Sequence, residues 1–199
     1  MRDGHFRILL AGNPNSGKTT IFNELSGMRA KVGNYAGVTV ERKTGSFSAG
    51  GREIEVEDLP GVYTLSASSA EEKIAADAIS AGDFDLIVNV VDSSNFERNL
   101  FLTMQLAEMK MPMIVALNMS DELEKEGKFI DTPALGVPVI KTTGFDRRSI
   151  AELKNFIAKN ALSCPAAHFP WKSAGDNILT RKIAEISRVL SDALPAPFK

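Results

Sequence analysis

Short apolar runs of strand length alternate along this chain with stretches whose apolar positions recur at helical spacing. That alternation is the pattern of a largely parallel α/β sheet, whose crossover helices cover both faces of the strands. FRILLAG (6–12) reads as the first strand, and KTTIFNELSG (18–27) as the helix after a loop, with Gly27 placed to end it. VTVERKTGSFSA and REIEVEDL flank Gly50-Gly51, which predicts one antiparallel hairpin in an otherwise doubly wound sheet. DLIVNVVD (85–92), MIVALN (113–118) and VPVIKTT (137–143) are further strands, and helical patterns fill 70–81, 95–110 and 147–161. Residues 1–163 thus read as one α/β domain. After them CPAAHFPWKSAGD has the small-residue, proline and glycine content of a linker. Ile178, Ile183, Ile186, Val189 and Leu190 then recur at helical spacing, so 164–199 reads as a linker and the beginning of a second, helical domain. LPAPFK closes no further element, and the expectation is a truncated domain and a chain that is a fragment.

Composition narrows the class. With 44% hydrophobic and 24% charged residues among 199, the chain is an ordinary globular one that can bury a core. A formal net charge of -2 argues against a nucleic-acid partner, which needs a basic face. The single cysteine, Cys164, forms no internal disulfide and fits a reducing compartment. No apolar run approaches the length that inserts into a membrane, so the expected location is cytoplasmic.

Gly12 to Thr19, in GNPNSGKTTIFN, satisfies G-x-x-x-x-G-K-[ST] between a strand and a helix. Its glycines let successive backbone N–H groups converge on phosphate oxygens, and the helix after it adds a positive dipole end. Lys18 supplies a cation for the β- and γ-phosphates, and the Thr19 hydroxyl a ligand for Mg²⁺. Three later stretches bear on which nucleotide is held. In DLPG (58–61), Asp58 can hold a magnesium-bound water and Gly61 can offer its N–H to a γ-phosphate. In NMSD (118–121), Asn118 and Asp121 emerge at the carboxyl end of a strand, where such sheets bind ligands. A carboxylate there accepts from the N1–H and exocyclic amine of guanine, a donor pair adenine lacks. GVTVE (37–41) places Thr39 where its hydroxyl can complete the magnesium shell. Alone, these three read as a turn, a helix cap and a strand residue. In this order, with the glycine loop, they describe a Ras-like P-loop GTPase fold.

GNPNSGKTTIFN, KVGNYAGVTVERKTG, DLPGVYTLS, EEK, NVVDSSNFERNL and ALNMSD together resemble the amino-terminal GTPase domain of the bacterial ferrous iron transport protein B family. The likeness is close over 6–121 and looser to about 171. It implies a slow GTPase on the cytosolic face of the bacterial inner membrane, followed in the same polypeptide by a dissociation-inhibitor-like helical domain and a membrane iron-permeation domain. A homo-oligomer is a further partner to consider. The implied nucleotide contacts are Asn13, Pro14, Asn15, Ser16, Gly17, Lys18, Thr19 and Thr20 of the loop. Gly37, Val38 and Thr39 follow in switch I, then Asn118, Met119 and Asp121, then Thr142, Thr143 and Gly144. Asp58 to Gly61 begin switch II. Lys18, Asn15, Thr39 and Gly61 are the implied catalytic groups, and Thr19, Thr39 and Asp58 the implied Mg²⁺ set. Asn15 with carbonyls of the Gly33–Tyr35 segment would hold K⁺, which offsets transition-state charge as an arginine finger does elsewhere.

Two departures stand out. Val62 occupies the place where many Ras-like GTPases carry a water-orienting glutamine, and Thr142-Thr143-Gly144 replaces the expected Ser-Ala of the guanine-supporting loop. Arg29 and Arg42 lie near switch I but read as solvated charges, and Glu71 and Glu72 as helix N-terminal charges. SNFERNL (94–100) reads as packing or capping. Cys164 and His168 are two ligands without partners, and His5 stands alone. Two other functions remain open: a nucleotide-gated binding module with incidental hydrolysis, and a potassium-stimulated GTPase of ribosome or tRNA maturation, for which no basic element is visible.

Overall fold

The computed structural model describes residues 6–27, 30–125, 127, 130 and 132–160. His5, Arg29, Cys164, His168 and the expected linker and helical segment of 164–199 lie outside them. Among the described residues, the chain runs β1 (Phe6–Gly12), α1 (Lys18–Ser26), β2 (Lys31–Asn34), β3 (Glu41–Ala49), β4 (Arg52–Asp58), α2 (Ala70–Ser80) and β5 (Leu86–Asp92). It continues through α3 (Phe96–Glu108), β6 (Met113–Asn118), α4 (Ser120–Lys125), β7 (Val139–Lys141) and α5 (Arg147–Asn160). The strands form one sheet in the order β2-β3-β4-β1-β5-β6-β7. Pairings from β4 through β7 are parallel, whereas β3 runs antiparallel to β4 and β2 antiparallel to β3.

The buried strands explain themselves. Every residue of β5 and β6 is buried, as crossover helices on both faces require. On one face Ile21, Phe22 and Leu25 of α1 and Ile150, Leu153 and Ile157 of α5 pack on Ile8, Leu10, Ile54 and Val56. On the other, Ala75 and Ile79 of α2 and Leu100 and Met104 of α3 pack on Leu9, Ile87 and Val115. The hairpin turns at Gly50 and Gly51, both at positive φ (58° and 73°), the geometry that matches strand twist.

The expected hairpin is present, and β2 adds a strand outside it. KVGN is exposed at every position and held by backbone pairing to β3, with Lys31 and Asn34 on an edge where apolar residues would invite aggregation. β3 begins at Glu41, later than the sequence pattern suggested, leaving 36–39 as an exposed turn. β7 is likewise shorter, which frees Thr142 and Thr143 for the loop at its carboxyl end. The parallel strands β1, β4, β5 and β6 all end on one side of the molecule, and each delivers a candidate motif there.

Candidate functional site

The loop between β1 and α1 is built around residues that tolerate no alternative. A Cβ on Gly12 would lie 2.6 Å from the Val90 carbonyl oxygen and 2.9 Å from Ser16 Oγ. Gly17 has φ +82°, and a Cβ there would overlap Asn118 Nδ2. Asn15, at the exposed tip, also takes a positive φ, 65°. Asn13 and Ser16 are buried, yet Asn13 Oδ1 and Ser16 Oγ have no partner, while Asn13 Nδ2 donates to the Arg98 carbonyl at 3.3 Å. Buried polar atoms left open beside a glycine-shaped loop suit an incoming polar ligand.

Lys18 and Asp58 meet at the loop's inner end. The Lys18 ammonium donates to Asp58 Oδ1 and to the Leu59 carbonyl. Burial pushes the Asp58 carboxyl above the ordinary carboxylate range, opposed by Lys18, then Lys43 and a hydrogen bond from Thr19. The structure therefore brings Thr19 and Asp58 together, two hard oxygen donors of the kind Mg²⁺ takes. Gly61 lies against the loop, since a Cβ there would be 3.2 Å from Pro14 Cα. The next N–H, of Val62, donates to the Gly12 carbonyl at 3.2 Å, which carries the Val62 side chain inward to 5% exposure among Leu59, Ile79 and Leu9.

At the other end, Asn118 is 2% exposed and its amide donates to the Ser16 carbonyl at 2.9 Å. Thr142 Oγ1 donates to Asn118 Oδ1 at 3.5 Å, and Ser120 Oγ to the Thr142 carbonyl at 3.1 Å. Thr143 Oγ1 donates to Asp121 Oδ1 at 3.3 Å. Lys125, 3.0 Å from Asp121 one helical turn on, holds that carboxyl below the ordinary range, so it is an acceptor at neutral pH. Gly144 sits against Thr20 and Asn118; its Cβ would meet Thr20 Cγ2 at 3.3 Å. Met119 has φ 57°, and its Cε would lie 3.7 Å from a Gly17 Cβ, laying the thioether toward the loop. The Thr142-Thr143-Gly144 variant thus keeps a compact junction with Asn118 and Asp121.

Switch I is placed elsewhere. Gly33 pairs with Arg42 at the sheet edge, three strands from β1, or about 14 Å at ordinary strand spacing. The Tyr35 N–H is tied to the Val40 carbonyl at 3.0 Å. Gly33 and Asn34 are thus engaged in β2 and Tyr35 in the turn after it, whereas Asn15 stands at the tip of the loop after β1. Gly37, Val38 and Thr39 lie in the exposed turn before β3, outside the Lys18–Asp58 contact.

What holds switch I there escaped the sequence. Glu57 is 2% exposed and accepts from Tyr35 Oη at 2.9 Å, from Arg42 Nε and Nη2 at 3.0 and 2.8 Å, and from Arg7 Nη2 at 2.6 Å. Burial alone would raise this carboxyl, but the bonds from Arg42, Arg7 and Tyr35 prevail and hold it below the ordinary range. Burial and Glu57 push the Tyr35 phenol upward, so it remains a donor. Arg42 is therefore an ion-pair partner of a buried carboxylate, where the sequence suggested a solvated charge. Adjacent strand residues face opposite ways, so Glu57 engages switch I on the α2 side while Asp58 engages Lys18 on the α1 side.

Glu71 and Glu72 lie in the first turn of α2, as expected, and Glu72 also caps it: its N–H donates to Ser69 Oγ at 3.1 Å and its carboxylate accepts from the Ser68 N–H at 2.9 Å. Asp92, just before SNFERNL, caps the turn ahead of α3 by accepting from the Ser94 N–H at 2.9 Å, and within that stretch Arg98 lies 4.2 Å from the Tyr63 ring centre.

Residues 6–157 match the family model described as ferrous iron transport protein B. The chain belongs to that family. It is 52% identical over 155 residues to the Fe(2+) transporter FeoB of Salmonella typhimurium and 53% identical to that of Escherichia coli K12, in each case over 74% of this chain and 20% of the relative. The chain thus spans about a fifth of these relatives' length. Among solved structures, the cytosolic domain of T. maritima FeoB in apo form superposes with a TM-score of 0.80 at 38% identity, over 88% of this chain and 71% of that one. Its GMPPNP form gives 0.83 at 28%, over 94% and 98%. An S. thermophilus NFeoB E67A mutant bound to GDP gives 0.74 at 40%, over 96% and 74%. The P-loop GTPase fold expected from the sequence is the fold of this family's G-domains. No described helix is long and apolar enough to cross a membrane.

Proposed function

We propose that this domain binds GTP and GDP with Mg²⁺, hydrolyses GTP slowly, and regulates a membrane ferrous iron transporter from the cytosolic face of the bacterial inner membrane. The observation that carries the reading is the joining of the glycine loop to Asn118, with Asp121 and Thr143 beside it. One element grips phosphates, the other reads a base, and a hydrogen bond sets them at a fixed separation.

The geometry supports the following roles. The loop from Asn13 to Thr20 receives the phosphates, with Asn13 Oδ1 and Ser16 Oγ open to polar groups. Lys18 exchanges the Asp58 carboxylate for the β- and γ-phosphates, which leaves Asp58 and Thr19 to face the divalent ion. Mg²⁺ bound there supplies charge neutralisation across the phosphates. Gly61 donates its N–H to the γ-phosphate in this reading, supported by its close packing against Pro14 of the loop. Asp121 accepts the two guanine N–H groups, and the Thr142–Gly144 backbone supports the base.

Hydrolysis is slow in this reading because the Val62 side chain is turned into the core and no side chain at that position orients water. Potassium assistance rests on Asn15 with carbonyls of the Gly33–Tyr35 segment, and Thr39 of the exposed turn before β3 completes the divalent-ion set. The partner is a membrane iron-permeation domain of the same polypeptide, in keeping with the chain's 20% share of its relatives. Membrane insertion by this segment and nucleic-acid binding are not part of the reading.

Phosphate release, followed with Mg²⁺ in KCl and in NaCl, tests the proposal. The expected result is slow multiple turnover, faster in KCl. Equal rates would contradict the potassium role. Tight nucleotide binding without turnover would instead favour a nucleotide-gated binding module, a second reading that the buried Val62 supports.

A further inference from the structure

Phe145 is 88% exposed, more than any other exposed large apolar residue of the described chain, the next being Val32 at 66%. Its backbone is firmly held. Thr143 to Asp146 form a tight turn closed by the Asp146 N–H donating to the Thr143 carbonyl at 2.9 Å, with Gly144 and Phe145 as its central residues. On one side the Thr143 hydroxyl donates to Asp121, and the Thr143 N–H donates to Ser149 Oγ at 2.8 Å. On the other, Asp146 caps α5, accepting from the N–H groups of Arg148 at 3.2 Å and Ser149 at 3.1 Å. Gly144, one residue before Phe145, packs on Thr20 and Asn118.

A phenyl group held in water on a pinned turn contributes nothing to the core. Its carrier turn is bonded directly to the carboxylate assigned to the purine edge. Met119 projects its thioether toward the loop from the strand end that carries Asn118. Phe145 thus follows directly on the Gly144 that packs against Asn118, on a turn bonded to Asp121, where a flat ligand meeting Asp121 edge-on is within reach of its ring.

We propose that Phe145 is a positioning residue for the nucleotide: its ring stacks on the guanine face, closes the base site and slows release. This rests on the guanine-site reading above. Stacking on an aromatic side chain contributes enough that its removal weakens binding about tenfold. A planar base covers a ring that is 88% exposed among the described residues, and the tight turn limits the backbone ordering needed to bring it over the base.

The test is nucleotide release from the purified chain and its Phe145→Ala and Phe145→Trp variants, alongside binding of inorganic triphosphate. Phe145→Ala is expected to release GDP about tenfold faster. Its melting temperature and its affinity for triphosphate, which has no base to stack, should be unchanged. Phe145→Trp in a Trp171→Phe background should retain slow release, and its fluorescence should be quenched when GDP is added. Unaltered GDP release from Phe145→Ala overturns the inference alone. An unsubstituted chain that binds triphosphate but discriminates no purine overturns the guanine-site reading and this inference with it.

Discussion

The Asn118 side-chain amide donates to the Ser16 carbonyl at 2.9 Å, across 102 positions of sequence. The glycine loop after β1 and the carboxyl end of β6 are thereby tied together directly. Gly17 makes room for the bond, so Gly17→Ala is expected to remove it. The left-handed conformation costs about 1–2 kcal/mol for a residue with a Cβ, and displacing Asn118 adds about as much. Urea unfolding should show a loss of about 3 kcal/mol, and calorimetry a loss of GDP affinity well beyond that of a stability-matched surface variant.

Asp121→Asn retains the size of the side chain and an acceptor for Thr143 but reverses the pattern offered to the base. Guanine affinity should fall about a hundredfold or more, since two charge-assisted bonds are lost, while xanthine nucleotides gain. Competition of GDP and XDP for the variant measures the switch. Unchanged GDP affinity would contradict the assigned role.

Val62→Gln is expected to fail as a way of restoring a water-orienting glutamine. The side chain points among Leu9, Leu59 and Ile79, so a buried amide would lack partners and cost about 2–3 kcal/mol. The melting temperature should drop, and phosphate release per folded molecule should not rise. A faster rate would mean that the side chain turns outward in the nucleotide-bound state.

Glu57→Gln tests the clamp on switch I. The Glu57 carboxyl is held low by its donors, so its contribution is complete above the ordinary glutamate value of about 4.3. It is lost as pH falls through the lower folded value. Stability measured from pH 7 down to pH 3 should therefore fall less steeply in Glu57→Gln than in the parent. At pH 7 the variant should be less stable by about 2 kcal/mol, allowing for the exposure of Arg42. Tyr35→Phe, which removes one donor, should loosen β2, seen as faster amide exchange at Gly33 and Asn34.

The phosphate loop was legible because its geometry is local: Gly12, Gly17, Lys18 and Thr19 act within one turn of chain between a strand and a helix. The strands at 86–92 and 113–118 were legible because burial on both faces writes a continuous apolar run. KVGN carries no such mark, since an exposed edge strand held by its backbone needs no particular side chains. Glu57 was hidden for a related reason. In REIEVED the alternation assigns Glu53, Glu55 and Glu57 to one polar face, and only the packing of α2 and switch I over its end buries Glu57. Arg7, the one charged residue within the otherwise apolar β1, was the available signal of a partner. The chain order of Gly33, Tyr35 and Thr39 likewise carries no information about how far switch I lies from the loop.

Calorimetric titration with GDP in the presence of Mg²⁺, with ADP as the control, tests most directly that this loop and this carboxylate clasp a guanine nucleotide. The expected result is saturable heat at one site per chain for GDP and none for ADP. No heat with GDP, or equal heat with both, would contradict it.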